Sequence, residues 1–194
     1  MHIISGELKG RKLQLSAKQI GNAELRPTTN YSKQVLFNLL NNNKTVAFDF
    51  ADKTILDAFC GTGSVGFELF SRGAKHVTFM DANKIHTNQI IKNSVQYGVP
   101  FKTYTGYLPQ MELEDKFDLI FADPPYDEGA GKIARVISNF LNQNLNEGGL
   151  IALEVQNGRT FLEKFEKSLL KYEISERMIL NWTCSSRTKF LFFR

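Results

Sequence analysis

A glycine-rich turn between an apolar strand and a helix constrains the fold of this chain more than any other feature. Residues Thr54–Phe59 are predicted to form a strand, and the following Gly61-Thr-Gly-Ser-Val-Gly66 matches the pattern GxGxxG and opens a helix. In this context such glycines form the nucleotide-binding turn of a βαβ unit. Asp81 ends the next predicted strand, where its carboxylate can accept hydrogen bonds from ribose hydroxyls.

Strands and helices alternate through most of the chain. Further predicted strands are His76–Met80, Lys102–Thr105, Phe117–Ala122 and Leu150–Val155, and the predicted helices between and after them are Gly63–Arg72, Lys84–Tyr97, Gly129–Leu141 and Phe161–Leu169. This alternation with short connections predicts an α/β fold, a mostly parallel sheet with helices on both faces. Two successive strands at the end, Tyr172–Asn181 and Thr188–Phe193, predict an antiparallel hairpin at the edge of that sheet.

The 194 residues, 42% of them hydrophobic, suffice for one well-buried domain. Residues 30–194 are predicted to form that domain, and residues 1–29 a basic N-terminal arm. Within the arm, Ile3–Ser5 and Arg11–Leu15 predict a β-hairpin around a glycine-containing turn. A helix is predicted to follow, with Asn30 as its N-cap.

Charge and cysteine content exclude several classes of protein. The formal net charge of +4 permits a polyanionic partner. Cys60 and Cys184 lie far apart and without neighbouring histidine ligands, so we expect neither a disulfide framework nor a metal site. A signal peptide and a membrane span are also absent from the sequence, which predicts a cytoplasmic protein.

Asp57 distinguishes between two kinds of ligand for the glycine turn. It stands four positions before Gly61, where its carboxylate would repel the pyrophosphate of a dinucleotide. A negative charge suits instead a ligand with a positive amino-acid end, such as S-adenosylmethionine, which carries an ammonium group and a sulfonium but no phosphate. Glycines that serve only the close packing of helix on strand are the alternative interpretation of the turn.

The tetrapeptide Asp123-Pro124-Pro125-Tyr126 directly follows the strand Phe117–Ala122, so it is predicted to lie beside the glycine turn at the carboxyl ends of the strands. The prolines stiffen the loop and leave it richer in hydrogen-bond acceptors than donors. The Asp123 carboxylate and the Pro124 carbonyl can bind the two hydrogens of an exocyclic base amine and aim its lone pair at a methyl donor. Tyr126 can stack on the base, a contact worth about 1–3 kcal/mol. A rigid surface turn without catalytic role is the alternative.

Taken together, these residues resemble the Rossmann-like S-adenosylmethionine-dependent methyltransferases, and more narrowly the bacterial RsmD family. The resemblance spans nearly the whole chain. Its motifs are Ile3–Leu13, Arg26-Pro27-Thr28-Thr29, Asp57–Gly63, Asp123–Tyr126 and Leu150–Val155. It implies methylation of the exocyclic N2 amine of a guanine in 16S ribosomal RNA, within the small ribosomal subunit or an assembly intermediate.

The resemblance also implies roles for individual residues. The cofactor-binding residues are expected to be Asp57, Phe59, Gly61, Gly63, Asp81, Ala82, Gly106 and Tyr107. The target amine and base are expected at Asp123, Pro124, Pro125 and Tyr126, and the RNA at Lys9, Arg11, Lys12, Arg26, Thr28 and Thr29. Arg26 is a candidate for either the cofactor carboxylate or an RNA phosphate. Tyr107 departs from the acidic residue that many methyltransferases place near the adenine.

Three other functions stay open at this point. Asp-Pro-Pro-Tyr is also typical of methyltransferases that act on other amines, such as adenine N6 in DNA or RNA or a protein glutamine. The literal GxGxxG pattern is compatible with a nicotinamide-dependent oxidoreductase, although Asp57 argues against it. A non-catalytic RNA-binding module with the same fold would need neither the Asp57 turn nor Asp123–Tyr126.

Overall fold

The computed structural model describes residues 1–16, 30–125 and 127–194. Strands in this part of the chain form one seven-stranded sheet: β1 Thr54–Ala58, β2 His76–Asp81, β3 Phe101–Thr105, β4 Phe117–Ala122, β5 Leu145–Gln156, β6 Met178–Thr183 and β7 Thr188–Phe193. Their order is β3-β2-β1-β4-β5-β7-β6. The five strands β1 to β5 are parallel to one another, and β7 pairs antiparallel with both β5 and β6.

Helices cover both faces of the sheet. They are α1 Asn30–Asn42, α2 Ser64–Ser71, α3 Lys84–Tyr97, α4 Ala130–Asn139 and α5 Arg159–Lys171. Helices α1, α2 and α3 contribute to a core on one face, and α4 and α5 to a core on the other. The predicted α/β class, with its parallel sheet and C-terminal antiparallel hairpin, is confirmed.

Side chains from successive strand residues enter the two cores alternately, as the pleat of a β-strand requires. Ile55 on β1 packs with α1, α2 and α3, and the next residue, Leu56, packs with α4 and α5. Both are fully buried. The continuous apolar runs of β1, β2 and β4 are therefore explained by burial on both faces.

Two predicted strand boundaries were wrong. Residues 172–177 are not part of a strand, because α5 runs to Lys171 and a 3-10 turn occupies Ser175–Arg177 before β6 begins. Between them Glu173 has a φ of 57°, which is incompatible with an extended strand. Strand β5 begins at Leu145, five residues earlier than predicted, and a register shift in its pairing with β4 accommodates the extra residues.

The N-terminal segment folds back on itself but contains a single antiparallel bridge, His2 to Lys12, in place of the two predicted strands. Backbone hydrogen bonds from Ile3 N to Arg11 O and from Gly10 N to Ile3 O close the turn at 3.0 and 2.9 Å. The ladder stays short because the backbone of residues 4, 7 and 8 bonds to α2 and not to a second strand.

Buried polar groups of α2 hold this segment in place. Glu68 Oε2 accepts a hydrogen bond from Ile4 N at 2.8 Å, and Ser71 Oγ accepts one from Leu8 N at 2.8 Å. Gly6 lies so close to the last turn of α2 that a Cβ on it would come within 1.6 Å of the Ser71 carbonyl oxygen. The segment therefore depends on glycine at position 6 for its contact with α2.

Among the helices in the described ranges, none combines the length and the apolar character needed to cross a bilayer.

We predict that Gly6→Ala lowers the free energy of unfolding by about 3 kcal/mol, because it adds a backbone clash to an unfavourable left-handed φ. Gly10→Ala is the matched control. Gly10 also has a positive φ, of 82°, but a Cβ there has no neighbour within 4 Å, so a loss of only about 1 kcal/mol is expected. Urea denaturation of both variants measures the difference, and equal losses would contradict the close contact with Ser71.

Candidate functional site

Acidic side chains converge on one face of the sheet at the carboxyl ends of its central strands. In the register, Phe79, Asp57, Phe121 and Ala152 form a row across β2, β1, β4 and β5. Two residues further along, on the same face, β2 ends at Asp81, β4 is followed by Asp123, and β5 carries Glu154. This face also holds the core that α1, α2 and α3 share.

The turn after β1 contains three residues with left-handed backbone. Phe59, Gly61 and Gly63 have φ values of 58°, 52° and 73°. Glycine adopts this conformation without cost, whereas Phe59 is strained by it. The strain is tolerated where a turn must reverse direction between β1 and α2, which is where parallel α/β sheets bind their ligands.

Gly66 has a different role from the other two glycines of the pattern. A Cβ on Gly66 would come within 2.3 Å of the Phe79 ring and 2.8 Å of Asp57 Oδ2. Its missing side chain lets α2 approach β1 closely enough for Gly66 N to donate a hydrogen bond of 2.8 Å to Asp57 Oδ2. For this glycine the close-packing interpretation is correct.

Asp57 is almost entirely buried, with 1% of its surface exposed. Burial raises its pKa well above the ordinary 3.8, the hydrogen bond from Gly66 N opposes that rise, and the negative charges of Asp123 and Asp81 add to it. Asp57 thus holds the start of α2 through Gly66 N, and its burial and the neighbouring charges favour the protonated form of its carboxyl in the free protein. It has no salt bridge to a cation in the described part of the chain.

Asp81 is fixed by two backbone hydrogen bonds at the end of β2. Its Oδ2 accepts from Gly61 N at 2.8 Å and its Oδ1 accepts from Asn83 N at 2.7 Å. His86 Nδ1 lies 3.1 Å from Asp81 Oδ1 without the alignment of a hydrogen bond. Each carboxylate oxygen has two acceptor positions, so Asp81 can still accept hydrogens from a diol.

The Asp123-Pro124-Pro125 loop is adjacent to the glycine turn, as predicted. Asp123 N lies 3.4 Å from Ala58 O, which extends the pairing of β4 with β1 by one residue. Asp123 is partly exposed, and Pro124 is buried behind it. Tyr126, the fourth residue of the motif, lies outside the described residues, as do Arg26, Thr28 and Thr29.

Glu154 also lies at the site, although it was not predicted from the sequence. It is 4% exposed, and its Oε2 has no hydrogen-bond partner among the described residues. Burial and the charge of Asp123 raise its pKa to about 9. The signal in the sequence was a single acidic residue inside the otherwise apolar run Leu150–Val155, and the strand pairing places it level with Asp123.

The predicted basic residues lie along the N-terminal segment, which runs beside α2. At one end of the segment Leu8 N bonds to Ser71, the last residue of α2, and at the other end Thr62 of the glycine turn donates a hydrogen bond of 3.5 Å to Met1 Sδ. Lys9 is exposed near the far end of α2, roughly 10 Å from the glycine turn along the helix axis. Arg11 and Lys12 are also exposed, and Lys12, which pairs with His2, lies nearer the glycine turn. A ligand that contacts all three residues and the site must therefore extend along α2.

The remaining predicted cofactor residues lie near Asp81. Ala82 follows it directly, and Gly106 N donates a hydrogen bond of 3.1 Å to Asp81 O. Tyr107 is 68% exposed, so its ring is not part of the protein core. Within the described ranges no three His, Cys, Asp or Glu side chains form a group that could hold a metal ion.

The chain matches known proteins over most of its length. The model of a family described as conserved hypothetical protein 95 matches residues 1–176. The ribosomal RNA small subunit methyltransferase D of Haemophilus influenzae is 33% identical over 179 residues, which cover 88% of this chain and 86% of that protein. The protein of the same name from Escherichia coli K12 is 30% identical and covers 81% of this chain and 77% of its own length.

Solved structures show the same fold. The Escherichia coli protein yhhF, a proposed methyltransferase, superimposes with a TM-score of 0.71 at 23% identity, covering 100% of this chain and 97% of that one. A ribosomal protein L11 methylase from Lactobacillus delbrueckii gives a TM-score of 0.63 at 18% identity and covers 84% of this chain and 79% of its own. The Rossmann-like methyltransferase architecture is thereby established for the chain.

We predict that Asp57→Asn stabilises the free protein, and more so as the pH rises. Above pH 3.8 the unfolded chain releases the Asp57 proton while the folded chain retains it, so the wild-type protein loses stability with increasing pH and the neutral amide does not. The stability difference between variant and wild type should therefore be larger at pH 8 than at pH 5.

Urea denaturation at the two pH values measures this difference. Asp127→Asn removes the same charge from an exposed position two residues beyond Pro125 and should change stability little at either pH. A stability difference for Asp57→Asn that is the same at pH 5 and pH 8 would contradict the raised pKa.

Proposed function

Since the chain belongs to the family described as conserved hypothetical protein 95, together with the ribosomal RNA small subunit methyltransferase D proteins, we propose that it transfers a methyl group from S-adenosylmethionine to the N2 amine of a guanine in 16S ribosomal RNA. The substrate would be the small ribosomal subunit or an assembly intermediate in the cytoplasm.

The observation that carries this proposal is the group of three acidic side chains at the carboxyl ends of β2, β1 and β4. Asp57, Asp81 and Asp123 interact electrostatically, and the pKa of Asp57 is raised by its burial and then by the other two charges. A cationic ligand relieves this repulsion, whereas a phosphate would increase it. The residues present therefore fit S-adenosylmethionine and argue against a nicotinamide dinucleotide.

Each part of the cofactor has a suitable partner in this proposal. Asp81 retains acceptor positions for the two ribose hydroxyls. The backbone of Phe59–Gly63 receives the methionine part, and the positive ammonium group favours ionisation of the Asp57 carboxyl. Ala82, Gly106 and Tyr107 are left for the adenine, with Tyr107 free to stack because its ring is exposed.

Bound S-adenosylmethionine supplies an electrophilic methyl group on a sulfonium. The protein has to hold the target amine in line with that methyl group, and such orientation provides a large part of the rate enhancement. The Asp123 carboxylate and the Pro124 carbonyl accept the two amine hydrogens and so direct the nitrogen lone pair. Asp123 is also suited to take up the proton that the amine loses.

RNA contacts divide into two groups. Tyr126 stacks on the target base, and Arg26, Thr28 and Thr29 contact nearby RNA. Lys9, Arg11 and Lys12 bind phosphates of RNA that extends along α2, because the N-terminal segment lies beside that helix. Phosphate contacts of this kind position a substrate without selecting its sequence.

We predict that Asp123→Ala lowers the rate of methyl transfer about a hundredfold or more, while S-adenosylmethionine binding falls by less than about threefold, because Asp123 acts on the amine and not on the cofactor. Asp127→Ala is the matched control, since it removes the same charge from an exposed position in the same loop and should retain near wild-type transfer. Radiolabelled methyl transfer to unmethylated small subunits and calorimetric cofactor titration provide the two measurements.

Digestion of the product to nucleosides identifies the acceptor. N2-methylguanosine in 16S RNA supports the proposal, and N6-methyladenosine would replace it with the adenine alternative. Loss of cofactor binding equal to the loss of transfer in Asp123→Ala would remove Asp123 from its assigned role.

A second prediction concerns the phosphate contacts of the basic residues in the N-terminal segment. Replacing Lys9, Arg11 and Lys12 together by alanine should weaken RNA binding and reduce the slope of log affinity against log salt by up to about 2–3, since each phosphate contact contributes about 0.7–0.9. The control replaces Lys164, Lys167 and Lys171, three exposed lysines on α5, and removes the same charge. Equal slopes for both triple variants, measured by fluorescence anisotropy, would exclude a specific role for these basic residues.

A further inference from the structure

Glu154 is a buried acidic residue beside the site that the proposed chemistry does not use. Strand pairing places it next to Asp123, because Ala122 on β4 is in register with Leu153 on β5. The two carboxyl groups also lie on the same face of the sheet, since the residues two positions earlier, Phe121 and Ala152, belong to the same core.

The surroundings of Glu154 contain little that could stabilise a negative charge. Asp123 faces it from the end of β4, and the Cys184 thiol faces it from the connection between β6 and β7. That thiol is hydrogen-bonded to Ser32 on α1, and burial raises its pKa, so it stays neutral at physiological pH. Glu154 has no salt bridge to a described cation, and its Oε2 has no hydrogen-bond partner there.

Two adjacent carboxyl groups in such surroundings cannot both be ionised at low cost. Asp123 is partly exposed, whereas Glu154 is 4% exposed, so solvation favours the charge on Asp123. The rise of the Glu154 pKa to about 9, caused first by its burial and then by Asp123, is consistent with this division. Glu154 is therefore the member of the pair on which a proton is favoured.

We propose that Glu154 is a positioning residue for Asp123: it keeps one proton beside Asp123, so that the pair carries a single negative charge and Asp123 presents that charge to the target amine. This role rests on the proposed function. As the amine nitrogen forms its bond to the methyl carbon, the electron pair of the broken C–S bond stays on sulfur, and one proton leaves the nitrogen. Asp123 can accept that proton because the proton of the pair is on Glu154, which leaves the Asp123 carboxylate ionised.

Ionised Glu154 would repel the Asp123 carboxylate from its position at the amine. We therefore expect the single-turnover rate of the wild-type protein to fall about fourfold between pH 7.5 and pH 9.5, where a group with a pKa of about 9 is about three-quarters ionised. Glu154→Gln is neutral at every pH. Its rate should lie within about threefold of the wild type at pH 7.5 and change less than about twofold up to pH 9.5.

Glu68→Gln is the control for a purely structural effect. Glu68 is equally buried on the same side of the sheet, but it bonds to Arg72 and Ile4 N, away from the strand ends. This variant should lose stability and keep the fall in rate at high pH. Ionisation of the RNA bases is common to all three proteins and cancels in the comparison. An unchanged pH profile in Glu154→Gln would overturn the inference.

Carbon-13 NMR of the glutamate carboxyl groups tests the proton directly in the free protein, without methyl transfer. One resonance that titrates near pH 9 and disappears in Glu154→Gln is the expected result, and titration of every glutamate below about pH 6 would overturn the inference. A wild-type protein that transfers no methyl group to any RNA would instead overturn the proposed function, whatever the NMR titration shows.

Discussion

The hydrogen bond from Gly66 N to Asp57 Oδ2 is the interaction on which the rest of the site depends. It forms only because position 66 has no side chain, so that α2 packs directly against the Phe79 ring and β1. With α2 held that close, the chain must reverse direction between Ala58 and Ser64, and this requires the left-handed backbone of Phe59, Gly61 and Gly63. The turn then opens between the ends of β2 and β4, where Asp81 and Asp123 stand.

The same arrangement brings several acidic side chains together at the ends of the central strands. Asp57 and Glu154 both have raised pKa values, caused first by burial and then by neighbouring carboxylates. Raised pKa values of this kind cluster at functional sites, and a cationic ligand would lower them. The two buried acids differ in what holds them. Asp57 bonds to a backbone N–H and is part of the scaffold, whereas Glu154 has an oxygen without a protein partner and shares its surroundings with Asp123.

Local patterns in the sequence were sufficient to predict the α/β fold and most of the strand-end residues. Gly61, Asp81 and Asp123 follow apolar strands directly, and parallel strands bring their carboxyl ends to one edge whatever the details of packing.

Glu154 was missed because one acid within a strand does not show which face it occupies or what lies beside it. The strand predicted to begin at Tyr172 was wrong because Glu173 has a left-handed backbone there. A glycine would have signalled that conformation in the sequence, but a glutamate does not. The position of the N-terminal segment was equally hidden, since it depends on a contact between Gly6 and Ser71, 65 positions apart in sequence.

That contact changes how RNA recognition by this chain should be understood. The contact fixes one end of the N-terminal segment at the last turn of α2, and the hydrogen bond from Thr62 to Met1 Sδ fixes the other end beside the glycine turn. Lys9 thus lies roughly 10 Å from the glycine turn along the helix axis, whereas Lys12 lies nearer to it. An RNA that contacts both residues while its target base is in the site must extend along α2. The geometry therefore favours a substrate longer than the target nucleotide and its immediate neighbours, and the base contacts within the site need not supply the whole of the specificity.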